Sequence, residues 1–512
     1  MGLFSNAEFI RNARGQLRPG KVISTACICA AISIAIGFGI AHTQSAPAGP
    51  NGWGSGILQV AIWLQALVLA AGGGIACINS IYREKEQNTF DYQRVTRLTP
   101  LELTLGKLFG APIFTYFVCL CLMPLAIFGA VMGKQRVLVV IAVYAVLLAG
   151  SVTTHALALL ISLLTVRGSH TGAILLLLVL LWGTSLFPGT SLEFFQVRPF
   201  GPFYAAQVTE WGNWESSTVT TRNGTYQVSW PADVLFGKKV QHVPVLITVD
   251  LIFACWFLLA VARNIKRDPN YYEIYSPLQA LGFAMFLNLL FVAFFRWRAA
   301  TPFDCQALLL TLNMGVFFCF GLAMLRNRER VRRILRAREE TGASLLDVTW
   351  PAALMIAGTL AAGLLVVFGI AEGRDPHVEW NGNFAVLRSL FFVAWLVRDV
   401  QYLQWMGLRR GKHSLVMGVL YQVIFYVCIS VFLTAFGFFS VAERAPFAAF
   451  FLPTPIYVLD HSAWVLRPAI WTAAFVAQWV VASIFLLLQR KVIEEMSAPV
   501  FPAVAPAPQI PA

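Results

Sequence analysis

Long apolar blocks separated by polar connections form the main pattern along this chain. Each block is close to the roughly 20 residues that an α-helix needs to cross the hydrocarbon core of a bilayer. The pattern predicts an all-α polytopic membrane protein with about twelve transmembrane helices. The predicted spans are centred in 22–41, 57–81, 109–131, 137–165, 172–187, 243–262, 277–295, 307–325, 350–370, 384–397, 416–439 and 469–488. The tenth of these is the shortest, and it contains Arg388.

Composition excludes a soluble protein. Hydrophobic residues make up 58% of the 512 residues, charged residues make up 12%, and the mean hydropathy is +0.69. A soluble chain of this length would need far more charge to cover its surface. The sequence therefore predicts a multi-pass protein of the cell (inner) membrane.

Lysine and arginine predict the orientation. If the N-terminus is cytoplasmic, about two thirds of the 38 basic residues fall on the cytoplasmic side, as the positive-inside rule requires. The arginine-rich segment 326–338 contributes most to this bias. Both termini are then expected in the cytoplasm. The net charge of +13 is explained by topology, so no nucleic-acid partner is expected.

The first 21 residues predict an amphipathic helix on the inner surface of the lipid bilayer. Its apolar face comprises Ile10, Ala13 and Leu17. Its basic face, which would meet anionic headgroups, comprises Arg11, Arg14 and Arg18. A polar leader without fixed structure is the alternative.

The rest of the chain predicts two halves of six spans each, residues 22–262 and 263–490, followed by a disordered Pro/Ala-rich tail at 491–512. The segments RPFGPFYAA (198–206) and FLPTPIYVL (451–459) precede the last span of each half, which suggests an internal duplication.

A small extracellular β-hairpin is predicted between the fifth and sixth spans. Alternating β-forming residues in STVTTRNGTYQVSW (217–230) flank Asn223-Gly224. That pair favours a type I′ turn.

Motifs for nucleotide, metal or nucleophilic chemistry are missing from the sequence. GQLRPGK (15–21) resembles a phosphate-binding loop, but Val22 replaces the hydroxyl that would bind magnesium and no strand precedes it. The chain has no HExxH, no GxSxG and no His/Cys cluster. It is therefore expected to be neither an enzyme nor a metalloprotein, and any use of ATP and Mg²⁺ requires a partner.

The long polar connection at 82–107 is the most informative stretch. Thr99 can cap a helix, Pro100 suits its first position, and Glu102 completes a capping box. The helix that starts here is expected to continue into the third span, with Gly106 and Lys107 at the membrane boundary.

Several residues of this connection together resemble a known pattern: Glu84-x-Glu86-x-x-Thr89, Leu98-Thr99-Pro100-Leu101-Glu102 and Gly106-Lys107. They look like the first cytoplasmic loop of type-2 ABC exporter permeases, membrane-spanning subunits without an ATPase domain. The N-terminal segment NAEFIRNARGQLRPGK resembles the interface helix of that family. Asn88 stands where the family usually has Gly, and Phe90-Asp91-Tyr92 replaces aliphatic residues. The resemblance covers residues 1 to 262, and the second half only in layout.

The resemblance implies a separate ABC ATPase subunit that pushes on a coupling helix made from this loop. In this chain Glu84, Glu86 and Thr89 would serve docking and geometry. Leu98 would be an apolar contact, and Thr99, Pro100 and Glu102 would form the cap. The corresponding loop of the second half lacks the LTPLE element, and 398–414 is another candidate contact surface. An internal pseudo-dimer and a homodimer both remain open.

Polar residues inside the predicted spans are few, and two ionisable ones are candidates for a site, Asp250 in the sixth span and His155 in the fourth. Ionisable groups in hydrocarbon point to a functional site, and the alternative is a buried hydrogen bond between helices, including one between these two residues. So sparse a polar interior suggests a hydrophobic or amphipathic substrate. An ion-coupled secondary transporter would need more membrane carboxylates or broken helices; a membrane assembly scaffold without transport is the other alternative.

Overall fold

The computed structural model describes part of the chain: residues 5–43, 52–165, 174, 205, 217–221, 224–228, 232–235, 238–267, 272, 274–295, 328, 331–332, 335, 382–409, 414–435 and 468–497. The predicted eighth and ninth spans lie outside these residues, as does the fifth apart from residue 174. Most of the two segments that suggest a duplication lie outside them as well. The chain divides into two compact units, Met1–Ile274 and Tyr275–Ala512.

Unit 1 is mainly helical. Its helices are α1 (Ala7–Gln16), α2 (Pro19–Thr43), α3 (Trp53–Leu67), α4 (Gly74–Glu86), α5 (Phe90–Arg94), α6 (Pro100–Gly110), α7 (Ile113–Met132), α8 (Val137–Leu164) and α9 (His242–Asn264). A π-helical segment, Val68–Gly73, joins α3 to α4. The N-terminal segment is thus helical, and its contact with the membrane surface stays a prediction.

Two antiparallel strand pairs precede α9. They are β1 (Ser217–Thr221) with β2 (Gly224–Val228), and β3 (Ala232–Leu235) with β4 (Lys238–Gln241). The register places Ser217 opposite Val228 and Thr221 opposite Gly224. Residues 222–223 lie outside the described residues, so the type I′ turn and the extracellular position of this segment stay predictions.

Unit 2 has four described helices: α10 (Pro277–Phe295), α11 (Gly382–Leu408), α12 (Ser414–Ala435) and α13 (Pro468–Ser497). Helix α11 is much longer than the predicted span at 384–397. Residues 398–408, predicted as a contact surface outside the membrane, continue this helix instead. Helix α13 likewise extends through residues 491–497, which were predicted to belong to the disordered tail.

Six helical stretches of the described part are long and apolar enough to cross a membrane. They are Pro19–Ile40, Trp53–Glu86, Ile113–Met132, Val137–Leu164, Val243–Asn264 and Phe475–Met496. The protein therefore has the character of a helical membrane protein.

The core of unit 1 lies where α3, α7 and α8 meet. Its buried side chains include Ile57, Leu58, Ile62, Leu125, Val143 and Val146. Gly129 lets the backbone of α7 approach the backbone of α3 closely, because a Cβ at this position would lie 2.5 Å from the backbone nitrogen of Leu58. Helix α3 packs mainly on α7, whereas α4 packs mainly on α8. The π-helical segment is therefore the place where this long helix changes packing partner.

Helix α6 does not continue into the third span, contrary to the sequence prediction. It ends at Gly110, and α7 begins at Ile113. Pro112 has no N–H to donate to the helix, and its φ of −90° and ψ of 16° leave the α-helical region. Its carbonyl oxygen instead accepts hydrogen bonds from Thr115 N (2.9 Å) and Tyr116 N (3.1 Å) in the first turn of α7.

Candidate partner-docking surface

The polar connection between α4 and α6, residues 87–99, is called the connector below. Helix α4 ends in a Schellman motif: Asn88 N donates to Lys85 O (3.4 Å) and Thr89 N donates to Glu84 O (2.9 Å). This motif needs a left-handed residue, and Asn88 has a φ of 56°. Asparagine adopts that conformation more readily than most residues with a side chain. Thr89 therefore serves the geometry of the turn.

The capping box predicted at the start of α6 is confirmed. Thr99 N donates to Glu102 Oε2 (2.8 Å), and Glu102 N donates to Thr99 Oγ1 (3.2 Å). Pro100 occupies the first turn, where its missing N–H costs no hydrogen bond. Both ends of the connector are thus fixed by local backbone motifs.

The connector and the first turn of α6 expose large apolar side chains. Val95 is 82% exposed, Tyr92 75% and Leu101 61%. Leu98 is half-buried, and Phe90 is buried beneath the surface. These residues lie outside the six membrane-crossing stretches. Large apolar side chains exposed close together in sequence, and outside the membrane-crossing stretches, are candidates for a protein-protein contact.

A buried ionic cluster lies beneath the connector. Lys107 Nζ lies 2.6 Å from Glu84 Oε2 and 3.2 Å from Glu8 Oε1. Arg11 Nη2 lies 2.7 Å from a carboxylate oxygen of each glutamate. Gln93 of the connector donates to Glu84 as well. Glu8, Glu84 and Lys107 are buried, whereas the Arg11 side chain is 54% exposed. Two acids and two bases therefore balance in a cluster that is open to solvent at Arg11.

Helix α1 is held against α6 by close packing. A Cβ on Gly106 would lie 2.7 Å from Glu8 Cβ, and one on Gly110 would lie 3.1 Å from Asn12 Cβ. Asn6 Nδ2 donates to Glu102 O at 2.6 Å. Arg11, predicted to meet lipid headgroups, pairs with Glu8 and Glu84, and its side chain is 54% exposed. Its contact with headgroups stays a prediction.

The other N-terminal residues predicted to contact the membrane surface have different environments. Arg14 is exposed, and Ile10 and Leu17 are half-buried. Their contacts with the bilayer stay predictions.

The end of α4 is linked to α8, and the connector is linked to the residues that follow α9. Lys85 Nζ donates to the carbonyl oxygens of Ser162 (2.8 Å), Leu163 (2.7 Å) and Thr165 (3.0 Å) at the end of α8. A cation there interacts favourably with the C-terminus of the helix. Beyond the end of α9, Lys266 Nζ donates to Thr96 O at 2.8 Å. The connector is therefore fixed to the ends of several helices at one side of unit 1.

The two ionisable residues within the spans are both buried but make different contacts. His155 Nε2 lies 2.9 Å from Leu69 O in the π-helical segment, and its Nδ1 lies 2.9 Å from the hydroxyl of Tyr116. Thr153 Oγ1 donates to the backbone oxygen of Asp250 at 2.7 Å. Because both ring nitrogens of His155 are already engaged, neither is left for a hydrogen bond to the Asp250 carboxylate.

The structure separates the roles of the residues selected from sequence. Glu84 is 8% exposed, so it anchors the connector and is not itself a docking contact. Glu86 is exposed and accepts a hydrogen bond from the Tyr82 hydroxyl. Sequence reasoning missed the roles of Glu8, Lys85 and Lys107. The close pair Gly106-x-x-x-Gly110 was a signal that another helix packs on α6.

Within the described part of the chain, no group of three or more His, Cys, Asp or Glu residues could hold a metal ion. No family model, no curated protein and no solved structure matches this chain.

Proposed function

We propose that this chain is the membrane-spanning permease subunit of an ATP-driven ABC exporter. In this proposal the connector docks a separate ATPase subunit that binds ATP and Mg²⁺ and hydrolyses the nucleotide. The observation that carries the proposal is the exposure of three apolar side chains, Tyr92, Val95 and Leu101, on an anchored segment outside the membrane-crossing stretches. The resemblance of residues 84–107 to the first cytoplasmic loop of type-2 exporter permeases supports it.

The anchoring explains how a push on this surface would reach the membrane. A displacement of the connector acts on α4 and α6 through Glu84 and Lys107. It acts on α8 through Lys85 and on α9 through Lys266. Pro112 interrupts the helix after α6, so α6 and α7 are not one continuous helix. The motion would therefore be transmitted through the contacts of these four side chains. Several helices would then move together, which suits alternating access.

The cargo, orientation and assembly follow from the sequence. The sparse polar residues of the spans favour a hydrophobic or amphipathic substrate. The bias of lysine and arginine places the connector and both termini on the cytoplasmic side of a cell (inner) membrane. Export as the direction follows from the family resemblance. The membrane unit is either one chain acting as an internal pseudo-dimer or a homodimer.

Co-purification from the membranes of cells that express the chain tests the proposal. We expect a stoichiometric ABC ATPase to accompany the wild type and to be lost from Val95→Asp and Leu101→Asp, since a charge in an apolar contact opposes docking. Val137→Asp is the matched control. Val137 is 74% exposed at the start of α8, about 40 Å along that helix from the end beside Lys85.

Recovery of the wild type without an ATPase, in mild detergent with an ATP analogue present, would contradict the proposal. Ion-driven substrate uptake by the protein alone in liposomes would then identify a secondary transporter. A stable complex with other membrane proteins and no transport would identify an assembly scaffold. Loss of the ATPase from Val137→Asp as well would show that the effect is not specific to the connector.

A further inference from the structure

Unit 2 contains a second group of buried polar side chains, on α11 and α13. Arg398 is 6% exposed, and its Nε and Nη2 atoms lie 2.8 Å and 2.7 Å from Asp399 Oδ1. Its Nη1 donates to Gln478 Oε1 at 2.6 Å. The ring of Phe425, from α12, has its centre 5.9 Å from the guanidinium carbon. Three helices therefore meet at one charged pair.

Arg398, Asp399 and Gln478 are all buried within unit 2. Gln478 lies three residues after the start of Phe475–Met496, the part of α13 that is apolar enough to cross a membrane. Arg398 is level with Gln478, because the two side chains are hydrogen-bonded. A buried charge needs partners that satisfy it, and Asp399 and Gln478 are those partners for Arg398.

Gln422 of α12 lies at the same interface. Four residues before it, Gly418 packs on α11 so closely that a Cβ would lie 2.9 Å from Met406 Cβ. Three residues after it, Phe425 lies over Arg398. Residues at these spacings share one helix face, so the Gln422 side chain is directed at α11 between those contacts.

The amide of Gln422 is the observation that points to a ligand. The residue is 6% exposed, yet among the described residues neither its Nε2 nor its Oε1 has a hydrogen-bond partner. A buried amide that makes no hydrogen bond is costly, and such groups need an explanation. A bound molecule with one donor and one acceptor would satisfy both atoms.

We propose that Gln422, beside the Arg398–Asp399 pair, binds the neutral polar group of an amphipathic molecule, either a hydroxyl or a carboxamide. Arg398 and Asp399 neutralise each other, so an ionic group would bring an uncompensated charge into the bundle. Phe425 and Met406 supply apolar walls for the rest of the molecule. The binding itself does not depend on an ATPase partner. That the ligand is the exported cargo rests on the proposed function.

The test uses the full chain in phosphatidylcholine nanodiscs and follows the midpoint of thermal unfolding. Octyl glucoside supplies hydroxyl groups, N-octylacetamide supplies an amide, and octyldimethylamine oxide, which has no donor, is the control probe. We expect a saturable rise of the unfolding midpoint with octyl glucoside or with N-octylacetamide. A rise with the first would indicate that the site binds a hydroxyl group, and a rise with the second that it binds a carboxamide. The rise should be lost in Gln422→Met and kept in Val423→Leu, since Val423 is exposed on another face of α12.

The unfolding midpoint of Gln422→Met is also informative without any probe. Because Gln422→Met removes an amide with no partner and keeps its shape, its unfolding midpoint should equal or exceed that of the wild type. A lower midpoint would overturn the inference, since it would show that the amide is hydrogen-bonded within the protein. An equal probe-induced rise in Gln422→Met, or no saturable rise with either probe, would also overturn it. Co-purification of an ATPase is measured separately, so failure of one proposal does not imply failure of the other.

Discussion

The ammonium nitrogen of Lys107 lies 2.6 Å from a carboxylate oxygen of Glu84, and the lysine side chain is fully buried. This pair joins the last turn of α4 to the last turn of α6 beneath the connector. Glu8, from α1, lies 3.2 Å from the same nitrogen. One buried cation thus holds together three helices that border the candidate docking surface.

Lys107→Met tests this arrangement. The change leaves two buried glutamates with Arg11 as their remaining cation. We expect a loss of about 3–5 kcal/mol in the free energy of unfolding, because breaking a buried ion pair leaves an uncompensated charge. The double variant Lys107→Met/Glu84→Gln should recover part of the loss. The measurement is reversible unfolding in mixed micelles.

Asp91→Asn is the matched control for that experiment. Asp91 pairs with Arg94 at 2.8 Å, but its side chain is 64% exposed. An exposed pair contributes about 0–1 kcal/mol. Equal losses in Lys107→Met and Asp91→Asn would contradict the view that the buried cluster anchors the connector.

The local parts of this site could be predicted from sequence. The capping box needs only Thr99 and Glu102 at the right spacing, and the turn after α4 needs only a residue that tolerates a positive φ, which Asn88 supplies. The break after α6 had a local signal too, in Pro112. The contact between Lys107 and Glu8 spans 99 positions of sequence, so no local pattern revealed it.

Helix α11 shows why hydropathy failed in unit 2. The charges of Arg398 and Asp399 made the predicted span end at residue 397. They are buried because they pair with each other and with Gln478, a partner 80 positions away. A hydropathy scale scores each residue separately. Two charged residues that pair with each other inside the protein therefore look like the end of a membrane span.

Gly106→Ala should loosen α1 from α6. The added methyl would lie 2.7 Å from Glu8 Cβ and 2.9 Å from Asn6 Oδ1, so α1 must shift away. We expect faster tryptic cleavage at Arg14, which is already exposed. In Gly15→Ala, nothing lies within 4 Å of the new methyl, so cleavage should keep the wild-type rate. Unchanged cleavage in Gly106→Ala would show that α1 does not depend on this close approach.

Gly73→Ala should disturb the join between the π-helical segment and α8. A Cβ at Gly73 would overlap the imidazole of His155, which cannot move without losing its hydrogen bonds to Leu69 and Tyr116. We expect a loss of about 1–3 kcal/mol in the free energy of unfolding from overpacking. In a His155→Ala background, Gly73→Ala should not lower the free energy of unfolding further, because the imidazole that the new methyl would overlap is gone.

Gly39→Ala in α2 is the control for that cycle, since nothing lies within 4 Å of its added methyl. It should be neutral or stabilising by up to about 1 kcal/mol, the difference in helix propensity between alanine and glycine. Additive effects of Gly73→Ala and His155→Ala would contradict the predicted contact.

The capping box gives a prediction in pH. The backbone N–H and the hydroxyl of Thr99 bond to the carboxylate of Glu102 and hold its pKa below the usual value. Since the folded-state pKa is the lower one, the cap stabilises the protein above the unfolded-state pKa of glutamate, about 4.3. That contribution is lost as the pH falls through the folded-state pKa.

Unfolding of wild type and Glu102→Gln should therefore be compared from pH 7 to the acid limit of solubility. We expect the wild type to be more stable at neutral pH and the difference to shrink as the pH falls below about 4. Thr99→Ala removes the hydroxyl that donates to the Glu102 carboxylate and accepts from Glu102 N. This change should itself cost about 0.5–2 kcal/mol in the free energy of unfolding. In that background Glu102→Gln should show a weaker pH dependence. A difference that stays constant over the whole range would mean that the charge of Glu102 does not contribute to the cap.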